Sequence, residues 1–262
     1  MKLKMYQVDA FTDRVFSGNP AAVCPLDTWL GEDILQKIAM ENNLAETAFY
    51  VQRDDGYEIR WFTPTVEVDL CGHATLAAAL VLFNYENHGG SKIDFYSRRS
   101  GHLIVTRKED VLTLNFPADS YESVDLSVDI LACFDKEPLE GFKGKSDYML
   151  VFRSEKEIRE LKPAFHEIIK LNARGVIVTA KGDRVDFVSR FFAPQSGINE
   201  DPVTGSAHTT LTPYWAKKTG KNNLTAIQLS QRVGHLTCKY LHERVEISGK
   251  GKEYLIGDIF IE

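Results

Sequence analysis

No stretch of the sequence approaches the roughly 20 consecutive apolar residues that a membrane-spanning helix needs. The N-terminus, Met1-Lys2-Leu3-Lys4-Met5, has no apolar signal core, so a soluble, cytoplasmic protein with no membrane partner is expected. Basic charge is in deficit: 31 Lys and Arg stand against 37 Asp and Glu, with a formal net charge of −6 and a pI near 5.7. No basic run is long enough for a nucleic-acid patch, and nucleic acid is not an expected partner. The four cysteines form no C-x-x-C pair and are too few for a disulfide framework in 262 residues. Cys24, Cys133 and Cys238 read as small buried hydrophobes, which leaves Cys71 for separate attention. The seven histidines show no H-x-x-x-H or H-x-H spacing, so no metal site is expected. Phosphate-binding glycine patterns such as G-x-x-x-x-G-K and G-x-G-x-x-G are missing as well.

What is present is an ordinary globular balance, 44% apolar and 26% charged, in a length that fits two domains of about 130 residues. The chain also repeats itself. Arg60-Trp61-Phe62-Thr63-Pro64 resembles Arg190-Phe191-Phe192-Ala193-Pro194. Glu67 and Glu200 each lie five residues before a glycine, in Gly72-His73-Ala74 and Gly205-Ser206-Ala207. Ser97 to Leu103 matches Ser230 to Leu236 around a shared Gly-His-Leu. Three blocks in one order at nearly one offset predict an internal duplication, with lobes over residues 1–118 and 119–262.

The coarse elements repeat too. Runs rich in β-branched and aromatic residues predict strands over 46–52, 57–62, 175–179 and 185–192, each pair closing before a proline. A helix from Gly72 to Phe83 is apolar on nearly every side and should be buried all round. A second from Gly205 is more polar, and Pro213 is expected to remove a backbone donor and kink it. Strands follow over 93–97, 102–107 and 111–116, then 226–230, 236–241 and 244–248. Outer helices are expected over 28–40 and 163–171. The final strand, 254–261, could join either lobe, and 120–144 is poorly legible. The fold class is α+β: two pseudo-symmetric lobes, each a curled, barrel-like, mostly antiparallel sheet around a central helix.

A glycine opening a buried helix gives a ligand close access to free N–H groups and a partial positive charge. Two such turns, facing one cleft, would suit a small carboxylate. His73 beside one turn, and Asp201 and Ser206 at the other, add chemistry to what could otherwise be two packed helix caps.

Several strings together resemble the PhzF-like isomerases of phenazine biosynthesis. They are Val8-Asp9-Ala10-Phe11-Thr12 with Gly18-Asn19-Pro20, Asn43-Leu44-Ala45-Glu46-Thr47-Ala48-Phe49, Asp69-Leu70-Cys71-Gly72-His73-Ala74-Thr75 and Glu200-Asp201-Pro202-Val203-Thr204-Gly205-Ser206-Ala207. The resemblance implies a diaminopimelate-epimerase-like fold, a homodimer, and no metal or organic cofactor. It also implies that Glu46 serves as acid and base, shifting a proton along a conjugated carboxylate, with His73 and Asp201 as catalytic helpers. Asn19, Gly72, His73, Gly205 and Ser206 are the implied substrate contacts. The residues themselves agree: an apolar neighbourhood would let the Glu46 carboxyl hold and return a proton near neutral pH.

Two rival readings stay open. Diaminopimelate epimerases and proline racemases place a thiol before each glycine turn. Here those positions are Cys71 and Thr204, and an unactivated threonine is a poor base. A lyase or dehydratase using Cys71 alone, and a non-catalytic binder of small acids, both remain.

Overall fold

The computed structural model describes residues 1–262, which divide into two compact units. The first is Met1–Asn115 with Ser248–Glu262, and the second is Phe116–Ile247. The final strand falls in the first unit.

In the first unit, β1 (Lys2–Ala10) and β2 (Asn19–Leu26) form an antiparallel pair, and α1 (Glu32–Asn42) leads to β3 (Glu46–Arg53). β3 pairs parallel with β2 and antiparallel with β4 (Gly56–Phe62). After the short β5 (Glu67–Val68) comes α2 (Gly72–Asn84), then β6 (Lys92–Ser97), which lies parallel to β4. β7 (Gly101–Lys108) and the start of β8 (Val111–Pro117) continue antiparallel. The C-terminal strand, here β17 (Gly251–Phe260), covers β1 along its whole length. A bulge opposite Gln7/Val8 leaves Tyr254 as the extra residue.

The second unit holds β9 (Tyr121–Ser123), the single-turn α3 (Val128–Leu131), β10 (Glu140–Gly144) and β11 (Asp147–Val151). Two short helices follow, α4 (Glu155–Glu160) and α5 (Phe165–Ile168), before β12 (Gly175–Lys181) and β13 (Phe187–Phe192). A one-turn 3₁₀ helix (Pro194–Ser196) leads on to α6 (Gly205–Thr219), β14 (Asn223–Gln228), β15 (Gly234–Tyr240) and β16 (Arg244–Gly249). β11 pairs parallel with β12, β12 antiparallel with β13, β13 parallel with β14, and β14 antiparallel with β15. The order parallel, antiparallel, parallel, antiparallel is that of β2, β3, β4, β6 and β7. The sheets are therefore mixed, because each long helix connects two parallel strands.

Burial follows the pattern of the sequence. Every residue of α2 from Gly72 to Leu82 is buried, and the helix packs on β1, β2, β3 and β17. α6 packs on β11, β14 and β15, with Leu211, Tyr214 and Trp215 inside. α6 runs unbroken through Pro213. The carbonyl of Thr209, which proline leaves without its usual helical donor, accepts the Asp119 N–H at 3.1 Å.

Other boundaries shift for local reasons. The helix expected from residue 28 begins at Glu32, because Gly31 supplies the cap carbonyl for Ile34 and Leu35. The helix expected over 163–171 shrinks to Phe165–Ile168. The unexpected α4 starts at Ser154, whose Oγ accepts the Glu157 N–H at 3.3 Å while Glu157 Oε2 accepts the Arg153 N–H at 3.0 Å. This is a capping arrangement written in the sequence as Ser-x-x-Glu.

Candidate active site

The repeated Arg and Glu have a structural use. In the first unit Arg60, 6% exposed, holds Glu67 through Nε at 2.7 Å and Nη2 at 2.9 Å. In the second, Arg190 holds Glu200 through Nε at 2.7 Å and Nη2 at 3.0 Å, and its Nη1 also donates to the carbonyls of Ile158 and Leu161. Each fork ties a strand to the loop that precedes a glycine turn.

In the first unit four of the expected site residues converge. Glu46 opens β3 and lies beside Ala21 of β2. Asn19 opens β2; it follows Gly18, whose φ is +65° and where a Cβ would sit 2.1 Å from the Ala10 carbonyl oxygen, so only glycine fits. Gly72 and His73 form the first turn of α2. His73 Nε2 faces Glu46 Oε2 at 3.2 Å, and neither atom has another polar partner. On the ring's other side, Asn19 Nδ2 is 3.1 Å and Cys71 Sγ 3.4 Å from His73 Nδ1. Where Nδ1 accepts from the Asn19 amide, a neutral His73 carries its proton on Nε2, toward Glu46.

Charge on this chain is set by its surroundings. Burial alone disfavours a charged His73, yet the negative charge it can share with Cys71 and Glu46, and its hydrogen bonds to both, push it well above the usual imidazole range. The Cys71 thiol is itself pushed up to about 11, chiefly by burial and then by Glu46, so at neutral pH it is uncharged. Glu46, Cys71 and His73 offer ligand atoms within 4.8 Å of one another. The thiol meets the ring at Nδ1 and the carboxylate meets it at Nε2.

In the second unit, Asp201 lies in the loop before α6, with its N–H bonded to the Phe191 carbonyl at 3.0 Å. Its Oδ2 accepts from Thr204 Oγ1 at 2.5 Å. Gly205 and Ser206 form the first turn of α6, and Ser206 Oγ accepts from Arg174 Nη2 at 2.9 Å. Arg174 is forked onto Asp147 and lies over the Phe191 ring. Neither Arg174 nor Gln228, which bonds Thr204 and Asp201, is marked in the sequence by a motif. The one signal for Gln228 is a polar residue in the apolar strand that precedes Ser230.

Strand registers locate the counterpart of Glu46. Phe49 pairs with Arg60 and Val178 with Arg190, so the position matching Glu46 is Gly175. Thr179 is fully buried and structural, accepting from Trp215 Nε1 at 2.9 Å and donating to the Val188 carbonyl at 2.7 Å.

The site thus sets a carboxylate–imidazole pair beside a glycine helix start in a mixed-sheet α+β fold. The fold of a hydroxyproline epimerase from Agrobacterium vitis is similar, with a TM-score of 0.63 over 98% of this chain and 92% of that one at 9% identity. The chain belongs to the phenazine biosynthesis-like (PhzC-PhzF) family, whose model matches residues 8–254. It is 51% identical to an uncharacterized isomerase of Pseudomonas aeruginosa over the whole of both chains. A crystal structure of a PhzF-family phenazine biosynthesis protein from Enterococcus faecalis superposes with a TM-score of 0.96 at 46% identity, also over both whole chains.

Proposed function

We propose that this protein is an isomerase that moves a proton within a small carboxylate substrate, with Glu46 as the one base and no cofactor. One observation carries this reading: Glu46 Oε2 and His73 Nε2 face each other at 3.2 Å, and neither atom has another polar partner. Glu46 removes a proton from one carbon as the substrate double bond shifts, and returns it to another carbon. Bond count and charge balance without an external oxidant or reductant. His73, protonated or donating through Nε2, holds the carboxylate between the two transfers.

Asn19 orients His73. The first-turn N–H groups of α2 and α6, which no side chain caps, and Ser206 with Arg174 behind it are groups suited to a substrate carboxylate. Asp201 is the second catalytic carboxyl. We further infer that the two units descend from one duplicated half. The shared strand order, the two Arg–Glu forks and the two glycine helix starts support this, as does Gly175 standing at the position of Glu46. Duplication then left only one copy with the base.

Solvent deuterium exchange into a bound carboxylate tests the assignment. Glu46→Gln is expected to abolish exchange and to leave binding. The thiol reading draws on the 3.4 Å contact of Cys71 with His73 but meets a thiol held neutral at pH 7. Cys71→Ala is expected to keep exchange within about tenfold of the wild type, where loss of a reacting thiol removes it.

A further inference from the structure

One buried glutamine governs the loop that carries Asp201. Gln228, in β14, has no exposed surface. Its Oε1 accepts the Thr204 N–H at 2.9 Å, and its Nε2 donates to the Asp201 carbonyl at 2.8 Å and to Thr204 Oγ1 at 3.1 Å. A backbone N–H can only donate and a carbonyl can only accept, so the orientation of the Gln228 amide is forced. Thr204 Oγ1 thus already receives a hydrogen bond. Its own proton goes to the acceptor it faces, Asp201 Oδ2, at 2.5 Å. Thr204 occupies the N-cap of α6 but makes no side-chain cap there, because the hydroxyl is spent on Asp201.

The rest of the loop is equally fixed. His208 Nδ1 donates to the Thr204 carbonyl at 2.8 Å. Val203 fills the space above Gly234, where a Cβ would lie 2.1 Å from Val203 Cγ2. The residue before the other glycine turn, Cys71, contacts His73 in the same fashion with a weaker donor.

We propose that Thr204, oriented by Gln228, is the positioning residue for Asp201: its hydroxyl donates to Oδ2, which fixes the carboxyl and favours its charged form. Its importance for turnover rests on the reading of Asp201 as a catalytic carboxyl. The geometry itself does not depend on that reading.

Side-chain carboxyl ¹³C titration of the full-length protein tests it, with Asp201 assigned through Asp201→Asn. Thr204→Val keeps the shape and removes the donor; Thr204→Ser keeps the donor. The Asp201 midpoint is expected to rise by about one pH unit or more in Thr204→Val, since the charged form loses a hydrogen bond, and to stay within a few tenths in Thr204→Ser. Coincident midpoints in Thr204→Val and the wild type would overturn the proposal. Should Thr204→Val fail to fold, the wild type decides. A slowly exchanging Thr204 hydroxyl proton with a cross-peak to the Asp201 carboxyl is expected, and a rapidly exchanging hydroxyl contradicts it. Proton exchange measured in Asp201→Asn reports separately on the catalytic role, so failure of one idea is not mistaken for failure of the other.

Discussion

The protonation of His73 couples folding to pH. His73 has a folded pKa above its unfolded value near 6.5. Its contribution to stability is full below that value and fades as pH rises through the folded one. His208 has the opposite sign. Burial pushes it down to about 4, only partly offset by the Thr204 carbonyl, and its Nε2 has no partner. The unfolded chain then binds a proton between pH 6.5 and about 4 that the folded chain refuses. Stability is lost across that window as pH falls, by roughly 3 kcal/mol at its lower end. Urea midpoints at pH 7 and pH 4.5 should show a steeper acid loss in the wild type than in His208→Gln. Equal slopes would show that His208 is not the group responsible.

Each long helix begins at a glycine, and the loop before it is anchored. In the second unit the anchor is Arg190, only 12% exposed in its side chain, serving Glu200 and two carbonyls at once. Arg190→Ala leaves a carboxylate and two acceptors without their donor, and is expected to cost about 3 kcal/mol in urea unfolding. Arg53→Ala, which removes an exposed ion pair with Asp55, is expected to cost under about 1 kcal/mol. Both helices were legible in the sequence, α2 from its apolar run and α6 from the repeat. The carbonyl that Pro213 leaves without a helical donor is satisfied by a residue far upstream, Asp119, and no local rule can see that. The segment 120–144 was opaque because β9, α3 and β10 are three to five residues long. Elements so short take their form from pairing partners rather than from periodicity.

At the scale of the whole molecule, the motifs around Glu46, His73 and Asp201 were legible, and so were the family and the α+β class. Arg174 and Gln228 were not. Their roles arise from contacts with residues 32 and 24 positions away, set by strand register and loop closure. Register likewise sets Gly175 as the counterpart of Glu46. The resemblance also implies a homodimer. The first unit exposes Phe16, Tyr254, Ile256 and Phe260, with Phe16 and Tyr254 edge to face at 5.7 Å, an apolar surface that a second copy could cover. Light scattering is expected to give twice the 29.6 kDa chain mass, shifting toward the chain mass in Ile256→Lys. A monomer at all concentrations would remove that expectation.

The identity of the base is the centre of the account, and solvent exchange measures it most directly. A β,γ-unsaturated carboxylate found to bind the wild type is incubated in D₂O with wild-type protein and with Glu46→Gln, and deuterium at carbon is followed by NMR. The wild type should wash deuterium into the ligand. Glu46→Gln should bind it within about twofold and exchange at least about 100-fold more slowly, the scale at which a positioned general base acts. Exchange at the wild-type rate in Glu46→Gln would contradict the account.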